Sequence, residues 1–262
     1  MANTVAVIQA RQGSSRLPGK TLASLWGKQT TLEMMIERLL PSKTLDKIVV
    51  ATTDFPADDA IDSVCKTLQI DCFRGSSADV LSRYFQAAHQ HKADHVVRLT
   101  ADCPFQDYVV IDELIDTYFN SDVDYAANAL IPTYPDGFDA EIMSIKALTT
   151  AFQNATLKSD REHVTPYIHR HPEQFKIINV PYHRDVSHLR LTLDEPSDLQ
   201  VMRAMADALF KSGHYVHLEE MLAYAVAHPE LIEINGSIPR NEGYLKSLAM
   251  DPMSDSTHCD KL

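Results

Sequence analysis

Hydrophobic and polar positions along this chain switch repeatedly between a period of two or less and a period near 3.6. Thr4–Gln9 is a short apolar run that reads as a strand. Leu32, Met35, Ile36 and Leu39 then recur at helical spacing over about 31–40, with Thr30 or Thr31 available as a cap. The alternation continues. Strands are expected at 48–51, 71–73, 95–99 and 124–127. Between them lie helical patterns at 57–68, at 77–89 (through Val80, Leu81, Tyr84, Phe85 and Ala88) and at 109–119. Repeated βα units predict an α/β fold: a mostly parallel sheet in a three-layer α/β/α arrangement. In such sheets ligands sit beyond the carboxyl ends of the strands. The segment after the first strand, Thr52-Thr53-Asp54, Arg74 and Asp102 should therefore gather at one edge.

The rhythm breaks over about 130–185. Ile131-Pro132-Thr133-Tyr134-Pro135-Asp136-Gly137 is turn-rich, and 138–144 and 175–180 read as strands, which predicts a small β-rich insert. A strand at 189–193 and a helix over about 197–209 restore the theme. Residues 1–212 are thus expected to form the main domain. Residues 213–250 form a helical and irregular extension, with a helix at 218–227 and a loop at 234–241. The polar, aperiodic tail 251–262 is expected to be disordered.

Composition narrows the class. The 262 residues carry 24 Lys and Arg against 36 Asp and Glu, a formal net charge of −12. A nucleic-acid binder needs a basic face, so none is expected as a partner. A nucleotide remains open, because a few cations in one pocket can hold a triphosphate on an acidic protein. No run approaches the ~18 apolar residues of a membrane span. No basic region followed by an apolar core opens the chain, so a cytoplasmic location is expected. Cys65, Cys72, Cys103 and Cys259 include no C-x-x-C pair, which disfavours zinc, and the twelve histidines show no metal-binding spacing. Cys103 reads as a small buried thiol rather than a nucleophile.

Chemistry concentrates after the first strand, in Ala10-Arg11-Gln12-Gly13-Ser14-Ser15-Arg16-Leu17-Pro18-Gly19-Lys20-Thr21. Three cations, two glycines and two serines at a strand end are suited to phosphate: the glycines let N–H groups approach an anion and the cations supply charge. The loop is not a Walker A motif. The glycines are one residue too far apart, and Pro18 removes a donor. Asp102 and Asp194 each follow a predicted strand. Read alone, each is as good a helix cap as a magnesium ligand. Asp198 reads as a first-turn charge favouring its helix dipole.

These segments resemble the cytidylyltransferases that activate acidic sugars. The similar subgroup is the one named for spore coat polysaccharide biosynthesis protein F. The acylneuraminate and 3-deoxy-manno-octulosonate cytidylyltransferases are more distant. The resemblance runs from Ile8 through Leu22, then through Arg74-Gly75-Ser76, Asp79–Tyr84, Arg98–Pro104, Arg161–Tyr167 and Leu193–Leu199, covering about 1–210. It implies transfer of CMP from CTP to a sugar, with pyrophosphate released and Mg2+ as cofactor. The sugar would be a 2-keto acid sugar destined for a surface polysaccharide or glycan. It further implies a nucleotide site at Ala10, Arg11, Gly13, Ser14, Ser15, Arg16, Lys20, Asp79 and Thr100. Arg16 and Lys20 would meet the β- and γ-phosphates. Arg11 would meet the α-phosphate or the base edge. Asp102 and Asp194 would hold the metal. Thr100 stands where a relative carries a base-reading Gln. Asp139 and Glu141, on one strand face, and Arg161 and His163 are the candidates for the sugar, with Arg190 a further possible partner for its carboxylate. A homodimer through 130–185 is implied as well. The rival readings are a glycosyltransferase of related sheet architecture, a P-loop-like kinase and a non-catalytic nucleotide-binding subunit.

Overall fold

The computed structural model describes residues 2–251. The expected tail lies outside the described residues apart from Asp251. The elements follow in chain order. Strand β1 is Thr4–Gln9. Strands β2 (Ser24–Trp26) and β3 (Gln29–Thr30) form a small antiparallel hairpin. Then come α1 (Thr31–Leu39), β4 (Lys47–Thr53), α2 (Asp59–Leu68), β5 (Asp71–Gly75), α3 (Val80–Gln90), β6 (His95–Thr100) and α4 (Tyr108–Phe119). The middle of the chain gives β7 (Tyr125–Ala127), β8 (Glu141–Ser144), α5 (Ile145–Asn154), α6 (Lys158–His163), α7 (Pro166–His169) and β9 (Ile177–Asn179). Helices α8 (Pro196–Leu209), α9 (Leu218–Ala227), α10 (Pro229–Ile232) and α11 (Glu242–Met250) follow.

Among the described residues, seven strands make one sheet in the order β5-β4-β1-β6-β8-β7-β9. All pairings are parallel except the two that β8 makes, with β6 and with β7. Side chains alternate across the sheet, and both faces are buried. Val5, Val7, Val49 and Val96 pack under α3 and α5, with Leu81, Tyr84 and Leu148. Ala6, Ile8, Val50, Val97 and Leu99 pack on the other face, with Leu32, Met35, Ile61, Ile111 and Leu114 of α1, α2 and α4. A third cluster joins Leu25, Phe105, Phe138, Leu191 and Leu193 to Met202 and Met205 of α8 and Met221 of α9.

Two expectations are placed differently. The strands expected within a 130–185 insert extend the main sheet, and the segment between them is helical. Met143 of β8 belongs to the core on one face and Ile142 to the core on the other. A strand buried on both sides fits only inside the sheet. The segment 189–193 is extended but makes only an isolated bridge between Arg190 and Asp136. Its partners are loop backbone: Leu191 N–H donates to Asp136 O at 2.7 Å and Leu193 N–H to Asp102 O at 2.8 Å. Gly137 makes this approach possible. Its φ is +105°, and a Cβ there would lie 2.3 Å from Leu191 O. The 189–193 segment is thereby laid beside the end of β6.

No helix among the described residues is long and apolar enough to cross a membrane.

Candidate active site

A cleft of about 600 Å3 opens beyond the carboxyl ends of β1 and β6. Of the expected residues, Ala10, Arg11, Gly13, Ser14, Ser15, Arg16, Lys20, Thr100, Asp102, Asp139, His163, Arg190 and Asp194 line it. The loop after β1 is held from behind. Gln12 N–H donates to Asp58 Oδ1 at 2.7 Å, and Thr21 Oγ1 donates to Arg11 O at 2.7 Å. Gly19 turns the chain back with a φ of +75°. The N–H groups of Gly13, Ser15 and Arg16 have no hydrogen-bond partner among the described residues, so they remain available to an anion. Thr53 and Arg74, expected at the site, instead brace this support. Thr53 bonds Asp58, and Arg74 bonds Thr53 O, Phe55 O and Asp59.

Lys20 is the hub. Its Nζ donates to Asp102 Oδ2 at 3.1 Å, Asp194 Oδ1 at 2.8 Å and Leu193 O at 2.8 Å, which uses all three donors. Burial lowers the ammonium's pKa, but Asp102 and Asp194 together outweigh it and hold it above its ordinary value. Burial likewise opposes ionisation of Asp102. Lys20 and the Thr100 hydroxyl overcome this and hold it at about 2. Arg16 reaches Asp194 Oδ1 at 2.9 Å and Glu242 Oε2 of α11 at 3.0 Å.

Neither aspartate is a helix cap. The N-cap of α4 is Asp107, whose carboxylate accepts from Val109 N–H at 3.0 Å, and the N-cap position of α8 is Glu195. Asp198 does more than favour the dipole. It accepts from the backbone N–H groups of Asp194 and Glu195 at 2.8 Å each and takes a two-pronged bond from Arg190 at 2.9 Å. Asp198 thus orients the turn that carries Asp194.

Three candidates are engaged away from the cleft. Asp79 is the N-cap of α3, accepting from Ser82 N–H at 2.8 Å, and its other oxygen pairs with Arg161. That ion pair ties α3 to α6, so neither partner lines the cleft. Glu141 is buried in β8 and holds Arg98, Tyr125 and Thr165. Burial pushes its pKa up, but Arg98 and the other partners bring it below the usual carboxylate range. Glu141 therefore supports the floor beneath the site. Arg190 does line the cleft, but its guanidinium is committed to Asp198 and Asp136. Cys103 lines the cleft, but burial raises its thiol well above the ordinary value, against a nucleophilic role.

Several lining residues were not singled out as site residues, although Gln9 and Arg98 fall within the motifs of the resemblance. Gln9, Arg98 and Lys158 contribute side chains from β1, β6 and α6. A whole wall comes from Pro239, Asn241, Glu242, Gly243, Tyr244, Lys246 and Ser247 of the C-terminal extension. Ser247 Oγ bonds His163 Nε2 at 2.9 Å, and Arg240 pairs with Asp139. Burial still pushes Asp139 up to about 7, because Asp136 and Glu141 repel its charge while Arg240 offsets only part of this. Helical periodicity over a short span could flag α11, but nothing local says that it folds back over 16 and 163.

The family model for cytidylyltransferases matches residues 5–223. Relatives include an uncharacterized protein of Methanocaldococcus jannaschii, 34% identical over 92% of this chain and 97% of its own length. Spore coat polysaccharide biosynthesis protein SpsF of Bacillus subtilis is 33% identical over 78% of this chain and 87% of its own. A 3-deoxy-manno-octulosonate cytidylyltransferase of Chlamydia trachomatis is 29% identical over 94% and 95%. Among solved structures, a cytidylyltransferase from Leptospira borgpetersenii is 32% identical, with a TM-score of 0.83 over 88% of this chain and 97% of that one. With the phosphate-suited loop at the end of β1 and Asp102 and Asp194 brought together on Lys20, the chain belongs to the cytidylyltransferase family.

Proposed function

We propose that this nucleotidyltransferase moves CMP from CTP onto a 2-keto acid sugar used for a surface polysaccharide or glycan, releasing pyrophosphate. The observation that carries this is the company of groups that line one cleft. Arg11, Arg16, Lys20 and the free N–H groups of the loop line it, and so do Asp139, Lys158 and His163. The first set suits the triphosphate, and the chain's work there is to hold the α-phosphorus in line with the attacking sugar oxygen. In the second set, Lys158 makes no ion pair among the described residues and suits the sugar carboxylate, while Asp139 and His163 suit its hydroxyls.

The residues present fit magnesium. Asp102 and Asp194 both place an oxygen within 3.1 Å of one cationic atom, Lys20 Nζ. No group of three or more metal-ligating side chains occurs among the described residues. Magnesium is characteristically held by one or two carboxylates, with phosphates and water completing the shell. Asp102 and Asp194 would hold the ion, which would neutralise charge on the phosphates. The relatives named for 3-deoxy-manno-octulosonate transfer support the acid-sugar class.

The test is a panel. Thermal shift is measured with CTP, UTP, ATP or GTP plus magnesium, and pyrophosphate release is followed with acidic and neutral sugars. CTP with an acidic 2-keto sugar should give the largest shift and the only rapid release. Equal stabilisation by a purine triphosphate, or release with neutral sugars alone, would overturn the reading.

A further inference from the structure

Helix α6 ends in a backbone conformation that its sequence does not favour. Val164 follows His163 with φ +75° and ψ −56°, and around it Thr165 N–H donates to His163 O at 2.9 Å. This tight three-residue turn is rare and strained, and a β-branched residue tolerates it poorly. Such strain persists only where the surroundings fix it, and it concentrates at working sites. Here Val164 is fully buried, and the histidine before it lines the cleft.

The imidazole is fixed from α11, beyond the residues that the family model matches. Its Nε2 lies 2.9 Å from Ser247 Oγ, and its ring meets the Tyr244 ring edge-on with 5.1 Å between centres. Ser247 Oγ also lies 3.0 Å from Glu162 Oε2 and 3.1 Å from Gly243 O. A carboxylate and a carbonyl can only accept, so the single hydroxyl proton goes to them. The Ser247 oxygen then accepts from the imidazole, which puts the ring proton on Nε2 and leaves Nδ1 with a bare lone pair. Nδ1 makes no hydrogen bond among the described residues, and it is not one of the buried atoms left without a partner. It is therefore open to solvent, on a residue that lines the cleft together with Glu162 and Ser247.

The phosphate-suited loop is close by. Burial lowers the His163 pKa from its ordinary value, and the charges of Arg98 on β6 and Arg11 of the loop lower it further, against Glu162 and Glu141. The ring is therefore neutral at physiological pH. On α11, Glu242 meets Arg16 at 3.0 Å, and Ser247 stands only roughly 7.5 Å further along the helix axis. We propose that His163 is the general base of the transfer, taking on Nδ1 the proton of the attacking sugar hydroxyl, and that Ser247 positions it. This rests on the reading above that CMP moves from CTP to a sugar. The hydroxyl oxygen bonds to the α-phosphorus. The bond from that phosphorus to the oxygen shared with the β-phosphate breaks, and pyrophosphate leaves with the electron pair. The hydroxyl proton passes to Nδ1, and from the imidazolium to water. Glu162, through Ser247, faces the positive charge that forms on the ring.

The test compares the wild type, His163→Gln and Ser247→Ala. The readouts are the CTP dissociation constant with magnesium, kcat for pyrophosphate release with the acidic 2-keto sugars of the panel above, and nitrogen-15 NMR of the imidazole rings. Glutamine still donates to Ser247 but takes up no proton. His163→Gln should lower kcat about a hundredfold or more and leave the CTP constant within about twofold. At neutral pH the wild-type His163 should carry its proton on Nε2. Ser247→Ala should mix the two tautomers and lower kcat while CTP binds as before. A His163→Gln kcat close to that of the wild type, or a wild-type His163 protonated on Nδ1, overturns the role of His163. An unchanged tautomer in Ser247→Ala overturns that of Ser247. If His163→Gln does not fold by circular dichroism, the wild-type NMR signature decides. A wild type that releases pyrophosphate with none of the acidic sugars overturns the reading of CMP transfer, whereas an active wild type beside an equally active His163→Gln overturns the base alone.

Discussion

Lys20 shows how one residue sets the character of a site. A lone buried ammonium would lose its proton more easily than usual, and two carboxylates reverse that. The same pairing keeps Asp102 ionised down to about pH 2. Its pKa is depressed on folding. Its contribution to stability is therefore present above the ordinary carboxylate range and is lost as pH falls toward 2. Asp102 is thus a carboxylate at any physiological pH, as a metal ligand must be. Asn at position 102 or 194 preserves shape and removes one charge. With neither residue serving as a cap, circular dichroism and melting should show that the fold survives. Turnover should fall at least about a hundredfold, and half-maximal rate should need more magnesium. If both variants keep the wild-type rate and magnesium dependence, these aspartates do not hold the metal.

Elements bring to the site what no single residue could. The carboxyl ends of β1 and β6 present the phosphate-suited loop and Asp102. The bridge at Arg190 lays Asp194 beside them, and α11 closes a wall. Glu242 in that wall meets Arg16 at 3.0 Å, where a phosphate would also be drawn. Both side chains are about one-third exposed, so water screens the pair and its effect is small. Glu242→Gln should remove one of the carboxylates that compete for Arg16, leaving Asp194, and tighten CTP by roughly twofold. CMP, with no terminal phosphates, should change little. Titration of both nucleotides decides this. Equal tightening of CMP and CTP, or none at all, would show that Glu242 does not compete for the triphosphate.

For the molecule as a whole, we propose a homodimer through the 130–185 region. Strand β9 is the outer strand of the sheet on that side, paired only with β7 among the described residues. Beside it Ile131 is exposed and donates its N–H to Asn179 Oδ1 at 3.0 Å. An open strand edge next to an exposed apolar side chain is suited to pairing with another chain. Light scattering at micromolar concentration should give twice the chain mass, and a monomer at that concentration would remove the proposal.

The sequence by itself determined the parallel βα core and the loop at its first strand end. Both rest on local causes: apolar periodicity, caps such as Thr30 before α1, and a run of Gly, Ser and cations that only backbone close to an anion requires. It also singled out most of the expected site residues that line the cleft. Tertiary structure decided what depends on partners distant along the chain. Asp79 and Arg161 read as site residues until folding pairs them with each other. Glu141 reads as a sugar-binding residue until β8 is inserted between β6 and β7 and Arg98 claims it. Gln9 reads as the polar end of a strand until folding buries its side-chain carbonyl without a partner among the described residues. Short strands such as β8 and β9 carry too few residues to show which faces they bury. Only the contacts they make, between segments far apart in the chain, assign them to the sheet.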